Sequence, residues 1–136
     1  MRACLHCHKS LKRYAVKYCS NLCQRNFEYE LYIRDWKLGL QDGNRGKTTR
    51  GMSGHILRYI LHKYAYRCAK CGWHEHNPLT GKSPLEVDHI DGNFQNNNES
   101  NLVLLCPNCH SLTPTYKNLN KGFGRSWRRD KYVKIV

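Results

Sequence analysis

Apolar residues recur at helix spacing in two parts of the chain and alternate along two short runs in a third. Ile56, Leu57, Ile60, Leu61 and Tyr64 form one stripe, with Arg58, His62 and Lys63 on the outward side and Ser53 placed as its N-cap. Phe27, Leu31 and Trp36 form another. They predict a helix that opens at Ser20 or Asn21, stops near Gly39 and turns its aromatic face to a core. Leu85 to Ile90 carries β-branched Val87 and Ile90 between the breakers Pro84 and Gly92, which reads as a strand, and Leu102 to Leu105 reads as a second. The connection from Asp91 to Asn101 is rich in Asn, including Asn96-Asn97-Asn98, and has loop composition, so the pair forms a wide hairpin. Strand neighbours point to opposite faces, so a bend is expected where Asp88 and His89 leave the first strand. Pro107 suits the first turn of a short helix that carries Cys109 and His110. Helix neighbours diverge by about 100°, so these two face different sites. A short strand over Tyr14 to Tyr18 completes a small α+β protein.

Cysteines change the picture. The eight fall as four close pairs, Cys4/Cys7, Cys19/Cys23, Cys68/Cys71 and Cys106/Cys109. A disulfide framework is the rival reading. Met1-Arg2-Ala3-Cys4 is no apolar signal stretch and no run approaches a membrane span, so the expected compartment is a reducing cytoplasm. There the pairs read as knuckles for two structural Zn²⁺ ions, one per quartet. Four thiolates close a tetrahedron, which leaves His6, His8, His74 and His76 as surface residues. Cys71 and Cys106 are separated by 34 residues, so zinc on that quartet pins the start of the hairpin to the start of the last helix. The implied organisation is a zinc module and helix over 1–40, a basic Gly-containing linker over 41–52, the hairpin domain over 53–116 and a basic aromatic tail over 117–136.

Charge narrows the partner. Lys and Arg number 23 against 10 Asp and Glu, a net +13 at pH 7, which favours a polyanion over a membrane surface because no segment joins a basic face to a broad apolar one. Arg45, Lys47 and Arg50 lie in the linker; Lys117, Lys121, Arg125, Arg128 and Arg129 lie in the tail, interleaved with aromatics. These eight are the expected DNA-binding residues. The linker fits either a passive tether or an arm that orders along a DNA groove. The tail fits either a grip on phosphates and bases or aromatics packed back on the domain.

The chemistry-bearing residues cluster in Asp88-His89-Ile90-Asp91-Gly92-Asn93 and in Asn101-Leu102-Val103-Leu104-Leu105-Cys106-Pro107-Asn108-Cys109-His110, with Cys68-Ala69-Lys70-Cys71-Gly72 upstream. Phosphodiester hydrolysis needs a water-derived nucleophile and relief of charge on the phosphate and the departing oxygen. A neutral imidazole, a carboxylate and a second imidazole are suited to that work. Taken together the three segments resemble the HNH endonucleases of the ββα-metal group, phage and bacterial types among them. The resemblance implies a general base at His89 and a catalytic cation on Asp88 and His110. It also implies an Asn101 that braces the base-carrying loop, and products with 5′-phosphate and 3′-hydroxyl ends. The cation is Mg²⁺, or Mn²⁺, Co²⁺ or Ni²⁺, which imidazole suits better. Asp91 is open between a loop residue and an assistant near the metal. The expected substrate is double-stranded DNA, nicked by a monomer or cut on both strands by a homodimer. The rival functions are a non-catalytic zinc-finger-type DNA-binding protein and an RNA-directed nuclease.

Overall fold

The computed structural model describes residues 1–46 and 51–120. The chain divides into two compact units, one over Met1–Asp42 and a second that begins at Gly43.

In the first unit an antiparallel bridge between Ala3 and Ser10 closes a tight knuckle, with the Cys4 N–H donating to the Lys9 carbonyl at 2.9 Å. The Leu5 N–H donates to the Lys17 carbonyl at 2.9 Å and brings the second cysteine pair alongside. The stretch from Tyr14 to Tyr18 is turn and bend, not the expected strand. Its backbone ties the two knuckles together instead of pairing along a ladder. Helix α1 spans Asn21–Lys37, capped by Ser20, whose hydroxyl accepts from the Cys23 N–H. At its other end Gly39 takes φ +79°; the Gly39 N–H donates to Trp36 and the Leu40 N–H to Asp35, a Schellman stop. The buried face is Ile33 and Trp36, with Phe27 half-buried. Leu31, expected on that face, is exposed, because the face runs through positions three apart from Trp36 and Leu31 lies off it.

The second unit opens with a bridge between Asn44 and Met52. Helix α2 follows over Gly54–Lys63, with the Ser53 hydroxyl accepting from the His55 N–H. Ile56 and Ile60, one turn apart, are wholly buried, whereas Leu57, expected beside them, sits at the edge of the stripe and is exposed. Strand β1, Glu86–His89, pairs antiparallel with β2, Leu102–Leu105, in the register Glu86↔Leu105, Val87↔Leu104, Asp88↔Val103 and His89↔Leu102. Leu102, Leu104 and Leu105 are buried, so β2 supplies the core of this hairpin. Helix α3, Pro107–Ser111, starts directly after β2 with Cys106 as its N-cap. The two strands and α3 make the ββα unit, and the Ala69 N–H donating to the Leu104 carbonyl at 2.8 Å fastens the Cys68 knuckle to it.

Candidate metal centre and active site

Glu86 and Asp88 stand two residues apart on β1 and so share a face. The imidazole of His110 lies between them, Nδ1 2.6 Å from Glu86 Oε2 and Nε2 3.5 Å from Asp88 Oδ1. An ionised carboxylate only accepts, so Nδ1–H donates to Glu86, and the lone pair of the neutral ring is left on Nε2, beside Asp88. Burial raises the Asp88 carboxyl above its ordinary value, and the neighbouring His110 and His89 offset this only in part. A half-buried carboxylate oxygen and an imidazole lone pair, brought together from two elements, are a donor set that fits a divalent cation and leaves its other positions open. The ring of Tyr116 packs edge-on against His110 at 5.3 Å between centroids and closes one side.

His89 follows Asp88 without the expected bend. The ladder runs through both, and the chain turns only at Ile90, whose N–H still reaches the Asn101 carbonyl. His89 accordingly has a different partner, Asn97, with Nε2 2.8 Å from the carboxamide Oδ1. Asn97 is buried and its Nδ2 donates to Asn44 Oδ1 at 3.3 Å.

Asn101, also buried, accepts from the Asp91 N–H at 3.0 Å and donates through Nδ2 to Asp91 Oδ1 and to the Asn96 carbonyl. Asp91 further accepts from the Asn93 N–H and from Asn96 Nδ2, both at 2.8 Å. Burial works to raise its carboxyl, but these amide donors outweigh it and hold Asp91 below its ordinary value. All three bonds to the Asp91 carboxylate brace the loop. The Asn93 and Asn96 side chains each accept from the backbone two residues on, so the Asn-rich stretch is a series of Asx turns.

The two cysteine quartets assemble as expected. In each, the four sulfurs lie within 4.8 Å of one another, and all eight cysteines are free thiols. Among the described residues these are the two clusters of three or more Cys, His, Asp or Glu whose ligand atoms lie close enough to hold one metal ion. Backbone N–H groups of Cys7, Cys19 and His6 point at Cys4 and, against burial, lower its thiol to about 6. Burial raises Cys68, yet the N–H groups of Cys106, Cys71 and Lys70 outweigh it, and that thiol also falls to about 6. The crowded sulfurs of Cys23 and Cys7 push Cys19 up to about 12, and burial followed by the sulfurs of Cys106, Cys71 and Cys68 does the same to Cys109. Four thiolates so close repel one another unless a cation joins them.

His6 is not a free surface residue: its Nε2 lies 3.3 Å from Glu30 on α1. His8 is exposed at the turn of the knuckle with φ +61°. His74 and His76 are exposed, the first beside the Arg67 guanidinium at 3.1 Å, the second against the Tyr66 ring. Of the eight expected DNA-binding residues, Arg45 is exposed on the Asn44–Met52 loop, and Lys117 lies over the ring of Tyr116 at 5.0 Å, the ring that packs on His110. Lys47, Arg50, Lys121, Arg125, Arg128 and Arg129 lie outside the described residues. Glu86 and Asn97 are the site residues that the sequence reading missed. Strand alternation from Asp88 pointed to Glu86; nothing local pointed to Asn97.

Residues 68–113 match the HNH endonuclease family. Over 57 residues, 42% of this chain and 24% of the relative, the sequence is 49% identical to the H-N-H endonuclease F-TflIV of Escherichia phage T5. A weaker likeness, 24% identity over 127 residues, covers 88% of this chain and 34% of the Zorya protein ZorE of Escherichia coli. The chain spans well under half the length of either relative. No solved structure matches it. With its paired strands, short helix and cysteine quartet, the stretch from Cys68 to Thr113 is an HNH endonuclease domain.

Proposed function

We propose that the chain is a divalent-cation-dependent DNA endonuclease that hydrolyses phosphodiester bonds to 5′-phosphate and 3′-hydroxyl ends, with His89 as general base. The observation that carries this reading is Asp88 Oδ1 and His110 Nε2 at 3.5 Å, on a ββα unit whose next strand residue is His89. Asp88 and His110 hold the cation. It is Mg²⁺, or Mn²⁺, Co²⁺ or Ni²⁺, and when bound it supplies charge relief to the phosphate and the departing oxygen. Glu86 donates nothing to the reaction; it orients His110. His89 takes the proton of the attacking water, a task for a neutral imidazole at physiological pH. Asn101 keeps the loop after His89 in place through its three bonds. Each cysteine quartet holds a structural Zn²⁺. The one formed by Cys68, Cys71, Cys106 and Cys109 sets α3, and therefore His110, against β1.

Double-stranded DNA is the substrate this reading assigns. The +13 charge supports a polyanion, and Arg45 and Lys117, exposed near the centre's own loops, together with Lys47, Arg50, Lys121, Arg125, Arg128 and Arg129, supply the phosphate contacts. The test is cleavage of supercoiled plasmid at low salt with Mg²⁺ and then Mn²⁺, run beside a gel shift on the same DNA. The intact protein is expected to nick or linearise the plasmid, and His89→Ala to bind it while cutting at least ~100-fold more slowly, the range of a lost general base. Binding without cleavage by the intact protein under every cation sinks the reading and favours a zinc-dependent DNA-binding protein. Preferential cleavage of RNA moves the substrate to ribose-containing strands.

A further inference from the structure

We propose that Asn97 is a positioning residue for the base, holding His89 in the Nε2–H tautomer, and that Asn44 holds Asn97 in the orientation this requires. The inference rests on the assignment of His89 as general base. A carboxamide oxygen only accepts, so the 2.8 Å contact between Asn97 Oδ1 and His89 Nε2 makes Nε2 the donor. A neutral imidazole carries one ring proton, and the one nitrogen left to accept a proton is Nδ1. Without a partner both tautomers populate, and only part of the protein presents that nitrogen unprotonated.

An amide is useful here only if it cannot flip. Asn97 Nδ2 donates to Asn44 Oδ1 at 3.3 Å; turning the carboxamide over sets nitrogen against the His89 donor and oxygen against oxygen at Asn44. The space is closed as well. Asn97 is 4% exposed, and a Cβ on Gly43 would stand 2.6 Å from Asn97 Cβ and 2.9 Å from Ile56 Cδ1, so loop backbone packs directly on the amide. Asn44 in turn is held by its bridge to Met52 and by the Ser53 N–H donating to the Gly43 carbonyl at 2.8 Å. The line Asn44–Asn97–His89 thus runs from the start of α2 to the base. It is separate from the bonds by which Asn101 braces the loop.

The test compares the zinc-loaded full chain with Asn97→Leu, which removes the acceptor at similar volume, Asn97→Asp, which keeps an acceptor oxygen, and Asn44→Ala. The readouts are kcat and KM on a DNA duplex, and long-range ¹H–¹⁵N correlation of the His89 ring, which reports the tautomer directly. The intact protein is expected to show Nε2–H. Asn97→Leu should mix the tautomers, which alone costs about twofold, and also free the ring to turn from its orientation, so that kcat falls by ~10-fold with KM within about twofold. Asn97→Asp keeps the acceptor for Nε2 but sets an oxygen against Asn44 Oδ1, so it should keep the tautomer with only part of kcat, and Asn44→Ala should lie between Asn97→Leu and the intact protein. An Nδ1–H ring in the intact protein overturns the proposal whatever the variants do. So does an Asn97→Leu protein with normal zinc content and undiminished kcat. If Asn97→Leu fails to take up zinc, Asn44→Ala decides: a mixed tautomer supports the proposal and an unchanged one overturns it. His89→Ala cutting as fast as the intact protein removes the base assignment itself, whereas failure of the Asn97 arm alone leaves that assignment standing.

Discussion

His110 sits between two carboxylates with unequal tasks. Asp88 faces the ring nitrogen that keeps its lone pair, and Glu86, more than half exposed, accepts the hydrogen bond of the other nitrogen at 2.6 Å. Such a partner fixes the tautomer and the orientation of the ring. Replacing Glu86→Gln is expected to weaken Mn²⁺ binding at the Asp88/His110 pair by ~10-fold or more, since outer-shell losses cost 10- to 100-fold. Titration of Mn²⁺ followed by calorimetry checks this. A variant that binds as tightly as the intact protein, with the same kcat at saturating Mn²⁺, denies Glu86 its role. Asp88, His89, Asn101 and His110 were legible as types in order along the chain. Glu86 was legible one step further, by counting two back from Asp88 on a strand. Asn97 was not, because an Asn inside an Asn-rich loop has no local feature that separates a buried partner of His89 from an ordinary turn residue.

Among the elements, the strands and helices form where period and capping place them, and the departures have local causes. Leu31 and Leu57 have helix spacing but lie at the margins of their stripes, and which margin is covered depends on what packs there. The stretch from Tyr14 to Tyr18 has strand-forming residues but no partner strand, and its backbone instead serves the knuckle. Two glycines show how context sets cost. Gly92 has φ +73°, and a Cβ there would meet Asn120 Oδ1 at 2.6 Å and Thr115 Cγ2 at 2.9 Å, just where Asn120 donates to the Gly92 carbonyl. Gly39 has φ +79° and open space around it. Gly39→Ala should therefore cost about 1 kcal/mol for the left-handed backbone alone, and Gly92→Ala about 2 to 3 kcal/mol because neighbours must also shift. Urea unfolding of the two zinc-loaded variants measures the difference; equal losses would show that the Gly92 contacts are soft.

Across the whole molecule, a metal on each quartet would make binding and folding one equilibrium. Structural zinc contributes on the order of 10 kcal/mol in small modules, comparable with the total stability of about 5 to 15 kcal/mol that a domain has. The two-stranded hairpin alone is marginal. Chelation is expected to abolish the ββα unit and, with it, the Asp88/His110 pair, read as loss of far-ultraviolet circular dichroism and recovered on adding Zn²⁺. Persistence of the spectrum and of Mn²⁺ binding without zinc would show that the apolar core suffices. Loading should also release protons. At pH 7.5 Cys4 and Cys68, lowered to about 6, are largely thiolate, whereas Cys19 and Cys109, raised to about 12, are protonated. Each quartet must therefore give up at least one proton on binding, and apparent affinity should rise with pH. Titrations in buffers of different ionisation enthalpy count those protons.

Composition, pairing of the cysteines and the order of Asp88, His89, Asn101 and His110 are properties of the sequence by itself. They sufficed for the fold class, the quartets as candidate metal sites and the likeness of one segment to the HNH endonucleases, because periodicity, capping and ligand spacing act over a few residues and survive without knowledge of the rest. The tertiary structure alone decided which polar side chains reach one another over long separations. Asn44 meets Asn97 across 53 positions and Glu86 meets His110 across 24. Such pairs are selected by the register of β1 on β2 and by the close packing of Gly43 on the loop, and a hydrogen bond that exists only when distant backbone segments come together leaves no local periodicity to read.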